Sequence, residues 1–114
     1  MIVRGGKYMG LVDVLKQVDI NDGVEEYKNT KGAVLVDVRT PDEYRQGHIA
    51  GSKNVPLQQF TAITSVVEDK DTPVFVYCFS GARSRRAATA FQRMGYNNAI
   101  NIGGIASYNG KLEK

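Results

Sequence analysis

The chain is expected to form an α/β fold, a central parallel sheet of about five short strands with helices on both faces. Three observations carry that expectation. Val34-Leu35-Val36-Asp37-Val38, Val74-Phe75-Val76-Tyr77 and Ala99-Ile100-Asn101-Ile102 are short apolar runs, long enough for buried strands and too short for helices. Segments with helical spacing lie between them, and such alternation builds a parallel sheet covered on both sides. The third is size: 114 residues, 42% hydrophobic and 24% charged, suffice for one self-supporting core. No repeat, linker or low-complexity tract divides the chain, so residues 1–114 read as one domain with a core at about 17–110.

Residues 1–16 read as an N-terminal arm, in which Leu11, Val14 and Leu15, continuing to Val18, allow a short helix or a packing segment. A strand is expected at Gln17–Ile20 and a helix at Asn21–Asn29. Within the strand that follows, Asp37 is out of place among apolar neighbours and needs backbone donors or Arg39 as partners. Thr40 stands at a helix N-cap, Pro41 at the first helical position and Glu43 three residues after Thr40, which is a capping box. Gly47 ends that short helix. His48 reads as a polar turn anchor rather than a general base, and Lys53 and Asn54 as a loop. Leu57, Phe60, Ile63 and Val67 form an apolar stripe that predicts a helix over 57–67. Pro73 opens the second strand run. Ala87, Ala88, Phe91 and Met94 then recur at helical spacing, with Gly95 as the C-terminal cap. Gly103-Gly104 predicts a tight bend that brings Ile105 and Tyr108 against the core, where Tyr44 and Phe60 also belong.

Composition removes several classes of function. One cysteine cannot form an internal disulfide, and one cysteine with one histidine fall short of the four ligands of a structural zinc site. No metal or organic cofactor is expected. No apolar run approaches the roughly 20 residues of a membrane span. Met1 to Lys7 lacks the apolar stretch of a signal peptide, so the expected compartment is the cytoplasm, where a thiol stays reduced. The net charge of +3 is mild, and its one local concentration is Arg83, Arg85 and Arg86. A nucleic-acid face calls for a longer basic stripe with interleaved aromatics; a small anionic substrate accounts for this cluster more simply.

Ligands of open parallel sheets bind beyond the carboxyl ends of the strands, which selects the segments after Val38, Tyr77 and Ile102. The second of these is Cys78-Phe79-Ser80-Gly81-Ala82-Arg83-Ser84, running directly into a helix. A thiol placed there faces the positive helix end and its unpaired N–H groups, which favour a thiolate. Gly81 lets the backbone bend into a cradle, and Arg83 offers a planar cationic fork suited to an oxyanion. Arg85 and Arg86 occupy the first helical turns, where the macrodipole disfavours cations by a few tenths of a kcal/mol each. Broken local rules of this kind concentrate at functional sites. The segment therefore reads as an anion site beside a nucleophilic sulfur; the plainer alternative is a buried, inert cysteine.

On these residues the chain resembles a single-domain rhodanese, a sulfurtransferase. Val36-Asp37-Val38-Arg39-Thr40-Pro41-Asp42-Glu43-Tyr44 is similar to the family's strand-and-helix signature, and Gly47 to Pro56 to the turn after it. Cys78 to Ser84 is similar to the active-site loop, and Asn101-Ile102-Gly103-Gly104-Ile105 to the closing turn. The resemblance implies that Cys78 attacks the outer sulfur of a donor such as thiosulfate and carries it as a persulfide. The N–H groups of Phe79, Ser80, Gly81, Ala82, Arg83 and Ser84 would surround that sulfur, with Arg83 holding the loop and attracting the donor. Cyanide or a thiol would then take the sulfur, in two half-reactions without metal or cofactor. Related phosphatases and arsenate reductases have five residues between Cys and Arg; here there are four, a cradle for one sulfur atom. Many family members carry Arg or Lys after the cysteine, where this chain has Phe79, and that change favours a less charged persulfide donor. Other readings are a sulfur-relay module that docks on a partner protein and a non-catalytic interaction domain. A monomer without nucleic-acid or membrane partners is expected.

Overall fold

Four parallel strands, in the spatial order Lys53–Asn54, Val34–Asp37, Val74–Cys78 and Ala99–Gly104, form the centre of the molecule. The computed structural model describes residues 18–114, so the expected N-terminal arm and Gln17 lie outside the described residues. In chain order the elements are α1 (Ile20–Lys28), β1 (Val34–Asp37), α2 (Pro41–Gln46), β2 (His48–Ile49) and β3 (Lys53–Asn54). After them come a 3₁₀ helix (Leu57–Ala62), α3 (Ile63–Val66), β4 (Val74–Cys78), α4 (Ala82–Arg93) and β5 (Ala99–Gly104). A second 3₁₀ helix (Ile105–Ser107) and β6 (Leu112–Glu113) complete the order. β2 and β6 pair antiparallel, apart from the main sheet.

The period-two alternation of the strands sorts their side chains into two cores. Val36, Val74, Val76, Cys78 and Ala99 join Ala87, Ala88 and Phe91 of α4 on one side of the sheet. Leu35, Phe75, Tyr77 and Ile102 join Ile20 and Val24 of α1 on the other. Helices therefore cover both faces, as the sequence predicts. Full burial of a side chain such as Phe91 stabilises by about 1.5–3 kcal/mol, so these two clusters hold the layers together.

Local signals set most boundaries. Thr40 accepts from the Glu43 N–H at 3.2 Å while the Glu43 carboxylate accepts from the Thr40 N–H at 2.9 Å, the predicted capping box. α4 ends in a Schellman motif: Gly95, at φ +107°, donates to Gln92 O, and Tyr96 donates to Phe91 O, both at 3.0 Å. The Phe91 and Tyr96 rings meet edge-on at 6.4 Å, the apolar contact that accompanies this cap.

Three expectations are corrected. Val18 and Asp19 are not a strand, and Ile20 already belongs to α1. The Asp19 carboxylate accepts the Asn21 N–H at 2.9 Å, so the residue between two apolar neighbours is a helix cap, not part of an alternating strand. Lys53 and Asn54 are not a loop: they form β3, the edge strand, paired with Val36 and Asp37. Residues 57–67 do not form one helix. The 3₁₀ turns are broken at Gln59 (φ −125°) and only Ile63–Val66 is α-helical. No side chain caps this segment, and Thr61, Ile63, Thr64, Val66 and Val67 are β-branched, which disfavours continuous helix. Its stripe still packs inward, with Ile63 and Val67 buried and Leu57 and Phe60 against the same core.

Candidate active site

Because the four strands are parallel, their carboxyl ends bring Arg39, Cys78 and Gly104 to one edge of the molecule. Cys78 ends β4 fully buried. Its Sγ accepts hydrogen bonds from the Gly81 N–H at 3.0 Å and the Ser84 N–H at 3.3 Å. Gly81 is the N-cap of α4, at φ +103°, and no side chain caps this helix. Ser84 is its third residue, so the sulfur takes the place of a capping oxygen. Burial pushes the Cys78 thiol up; the Ser84 hydroxyl, followed by the N–H groups of Ser84, Gly81 and Ser80, outweighs it and holds the thiol below its ordinary range. A sulfur so placed is prepared to carry negative charge.

The loop is clamped from three sides. Arg83 makes a bidentate pair with Glu43 of α2, Nη1 to Oε1 at 2.8 Å and Nη2 to Oε2 at 3.0 Å. Hydrogen bonds from Arg83, ahead of those from Thr40, hold the Glu43 carboxyl down at about 2. From β5, Asn101 Oδ1 accepts the Ser84 hydroxyl at 2.6 Å, and Asn101 Nδ2 reaches Gly81 O at 3.4 Å. Gly104 lies directly under the cradle: a Cβ there would stand 2.1 Å from Phe79 O and 2.6 Å from Ser80 Cα. The Gly103-Gly104 pair thus lets the loop rest on β5, in addition to leading Ile105 and Tyr108 into the second core.

Asp37 has both of its expected partners. Its carboxylate accepts the Arg39 N–H at 2.9 Å and the Arg39 guanidinium at 2.7 to 3.1 Å, and the same guanidinium donates to Gly47 O at 2.7 Å. His48 holds the turn as expected, with Nδ1 2.8 Å from Tyr44 O and its ring stacked on Tyr44 at 3.8 Å. Tyr44 is half-buried and donates to Ser52 O at 2.6 Å. Phe79 and Ser80 are exposed, as is Ala82 at the first turn of α4. Beside the loop opens a cleft of about 290 Å³ whose walls include Phe79, Ile105, Ala106 and Leu112, with Arg39 and Glu43 at its polar side.

Sequence reasoning brings Cys78 and the loop residues together at one place, as found, but leaves out Glu43, Asn101 and the seating role of Gly104. Asn101 had a signal of the same kind as Asp37, a polar residue inside an apolar strand. Glu43 had its own explanation as a capping residue, which concealed its second partner.

Parallel sheet, helices on both faces and a thiol seated at the mouth of a helix define a cysteine-loop α/β domain. The chain belongs to the rhodanese-like domain family, whose sequence model matches residues 21–111. It is 39% identical over 71 residues to the thiosulfate sulfurtransferase PspE of Escherichia coli, covering 61% of this chain and 68% of that protein. It is 32% identical over 96 residues to a sulfurtransferase of Allochromatium vinosum, covering 83% and 89%. Among solved structures, a rhodanese with anions from E. coli superposes with a TM-score of 0.67 at 35% identity, covering 72% of this chain and 98% of that one.

Proposed function

We propose that this protein is a sulfurtransferase whose Cys78 carries the transferred sulfur as a persulfide. The observation that carries the reading is the pair of backbone N–H groups, from Gly81 and Ser84, aimed at Cys78 Sγ at 3.0 and 3.3 Å. Donors fixed in this way stabilise negative charge on sulfur without reorganising during reaction. In the first half-reaction the Cys78 thiolate attacks the outer sulfur of the donor. With thiosulfate, the donor S–S bond breaks, its electron pair leaves with sulfite, and Cys78 retains a negatively charged persulfide. In the second, a nucleophile attacks the outer sulfur of that persulfide. With cyanide, thiocyanate leaves and the thiolate returns; a thiol acceptor leaves as a persulfide in the same manner. Such two-step covalent transfer uses only the thiol and its cradle.

The surroundings favour an organic persulfide over thiosulfate as donor. Glu43 neutralises Arg83 and Asp37 neutralises Arg39, so neither guanidinium offers an uncompensated charge to a dianion. Phe79, at 52% exposure, and Leu112, at 44%, give the adjoining cleft apolar walls suited to the carbon skeleton of a small thiol.

Intact-mass spectrometry tests the central step. Incubation with thiosulfate or a small alkyl persulfide is expected to add one sulfur atom to the wild-type protein and none to Cys78→Ala, and cyanide is expected to remove it. Wild-type protein that gains no sulfur from either donor would overturn the reading. Loading only from a partner protein would replace the free-standing enzyme with a sulfur-relay module.

A further inference from the structure

The Ser84 hydroxyl is fully buried and has four acceptors within reach: Asn101 Oδ1 at 2.6 Å, Gly81 O at 3.2 Å, and Cys78 Sγ and Gly103 O at 3.4 Å. It has one proton to share among them. The orientation of the Asn101 amide decides where that proton rests. Gly103 N–H donates to Asn101 Oδ1 at 3.0 Å, and a backbone N–H can meet only an acceptor. Gly81 O, which can only accept, faces Asn101 Nδ2 at 3.4 Å. The amide is thereby fixed with Oδ1 toward Ser84, and the 2.6 Å contact is a hydrogen bond donated by the serine. While it lasts, the hydroxyl cannot donate to Cys78.

We propose that Asn101 is a positioning residue that holds the Ser84 proton away from Cys78 and so sets how readily that sulfur carries negative charge. Toward a neutral thiol, Ser84 Oγ keeps lone pairs free to accept the S–H. Toward a thiolate or a persulfide anion it must donate, and its proton must leave Asn101. A charged sulfur is a stronger acceptor than any of the three neutral carbonyls nearby, so the hydroxyl turns to sulfur once charge appears, at the cost of its shortest bond. Asn101 acts through Ser84 and touches no sulfur itself. It occupies this position because β5 bulges here: Val76 pairs with Asn101 and Tyr77 with Gly103, leaving Ile102 as the extra residue.

The charged groups around Cys78 do not explain such an effect away. α4 contributes Arg83, paired with Glu43 of α2, and the exposed Arg85 and Arg86; the strand end of β1 contributes Asp37 paired with Arg39. These groups remain in place when Asn101 is changed.

Cys78 is the only cysteine in the chain, so the pH dependence of iodoacetamide alkylation reports on it alone. Asn101→Ala is expected to lower the thiol titration midpoint by about half to one pH unit, because the serine proton is released. Ser84→Ala is expected to raise it. In the double variant the midpoint is expected to match Ser84→Ala, because Asn101 has nothing left to act through. Asn101→Val, which lacks an acceptor and suits a strand, serves where Ala does not fold. An unchanged or raised midpoint in the folded Asn101 variant, or an Asn101 shift that persists without the Ser84 hydroxyl, would sink the proposal. The sulfurtransferase reading gives this shift its consequence, but the titration needs no sulfur donor, so failure of one is distinguishable from failure of the other.

Discussion

At Phe79 the charge of the site is decided by one side chain. It is half exposed at the cradle's edge, where many relatives of the resembled family carry a cation. The guanidiniums on either side are already occupied by carboxylates. Phe79→Lys adds a cation at a half-exposed position, and a partly exposed charge contributes up to about 1 kcal/mol to an interaction with an anion. The kcat/KM for thiosulfate, a dianion, is therefore expected to rise by about threefold to fivefold, more at low salt, while that for a small alkyl persulfide, which carries at most one charge, rises less or falls. Steady-state kinetics with both donors at two ionic strengths makes the comparison; an equal rise for both donors would show that charge is not what Phe79 controls. Residue by residue, the site was readable where its chemistry announced itself. Cys78, Gly81 and Arg83 stood in one loop, and Asp37 was conspicuous in its strand. Asn101 offered the same clue but needed the bulge in β5 to bring it opposite Ser84, and no spacing rule contains that bulge.

Between elements, the contact of most consequence joins α2 to α4. Glu43 closes the capping box of α2 and binds Arg83 at the start of α4, fastening the Cys78 loop to a helix from a different part of the chain. Arg83, through its hydrogen bonds, is the main reason the Glu43 carboxyl is held at about 2 rather than 4.5. A lowered folded-state value means the pair stabilises the fold fully above about pH 4.5 and loses that effect as pH falls toward 2. Glu43→Gln keeps a capping side chain at the third helical position while removing the charge and one of the two oxygens that Arg83 binds. Both partners are about one-third exposed, and solvent screening limits the pair to roughly 0.5–1 kcal/mol at neutral pH. Unfolding free energies of the two proteins from urea titrations should differ by that amount at pH 7 and converge as the buffer is taken from pH 4.5 toward 2; a constant gap would mean that shape, not charge, joins the two helices. Short-range patterns predicted the elements that carry their own caps, α2 and α4, closely. They failed where a cap resembled a strand, at Asp19, and where apolar periodicity had no cap behind it, at 57–67.

Across the whole molecule, the two cores lie on opposite faces of one sheet, and α1 is pressed against the strand that supports the site from behind. Gly23 lies on Ile102: a Cβ at position 23 would stand 2.4 Å from Ile102 Cβ and 2.7 Å from its Cγ2. Ile102 is the extra residue of the β5 bulge, next to Asn101. Gly23→Ala would ordinarily favour a helix by almost 1 kcal/mol. Here the added methyl forces α1 off the sheet or Ile102 out of the bulge, and overpacking of this kind costs about 1–3 kcal/mol. A net fall in Tm of about 5 °C or more is expected at the larger end of that range. The rate of Cys78 alkylation is expected to change with it, although Gly23 belongs to the core on the opposite face. Ile102→Val in the same background should not restore either quantity, because valine keeps the two atoms closest to the added methyl. A Gly23→Ala protein with unchanged or higher Tm would show that helix propensity outweighs the contact; a lower Tm with unaltered thiol reactivity would confine the strain to the α1 face. The expected coupling belongs to neither element alone: the same bulge that turns Asn101 toward Ser84 turns Ile102 toward α1, so a methyl group added on one face of the sheet is expected to alter the reactivity of a sulfur on the other.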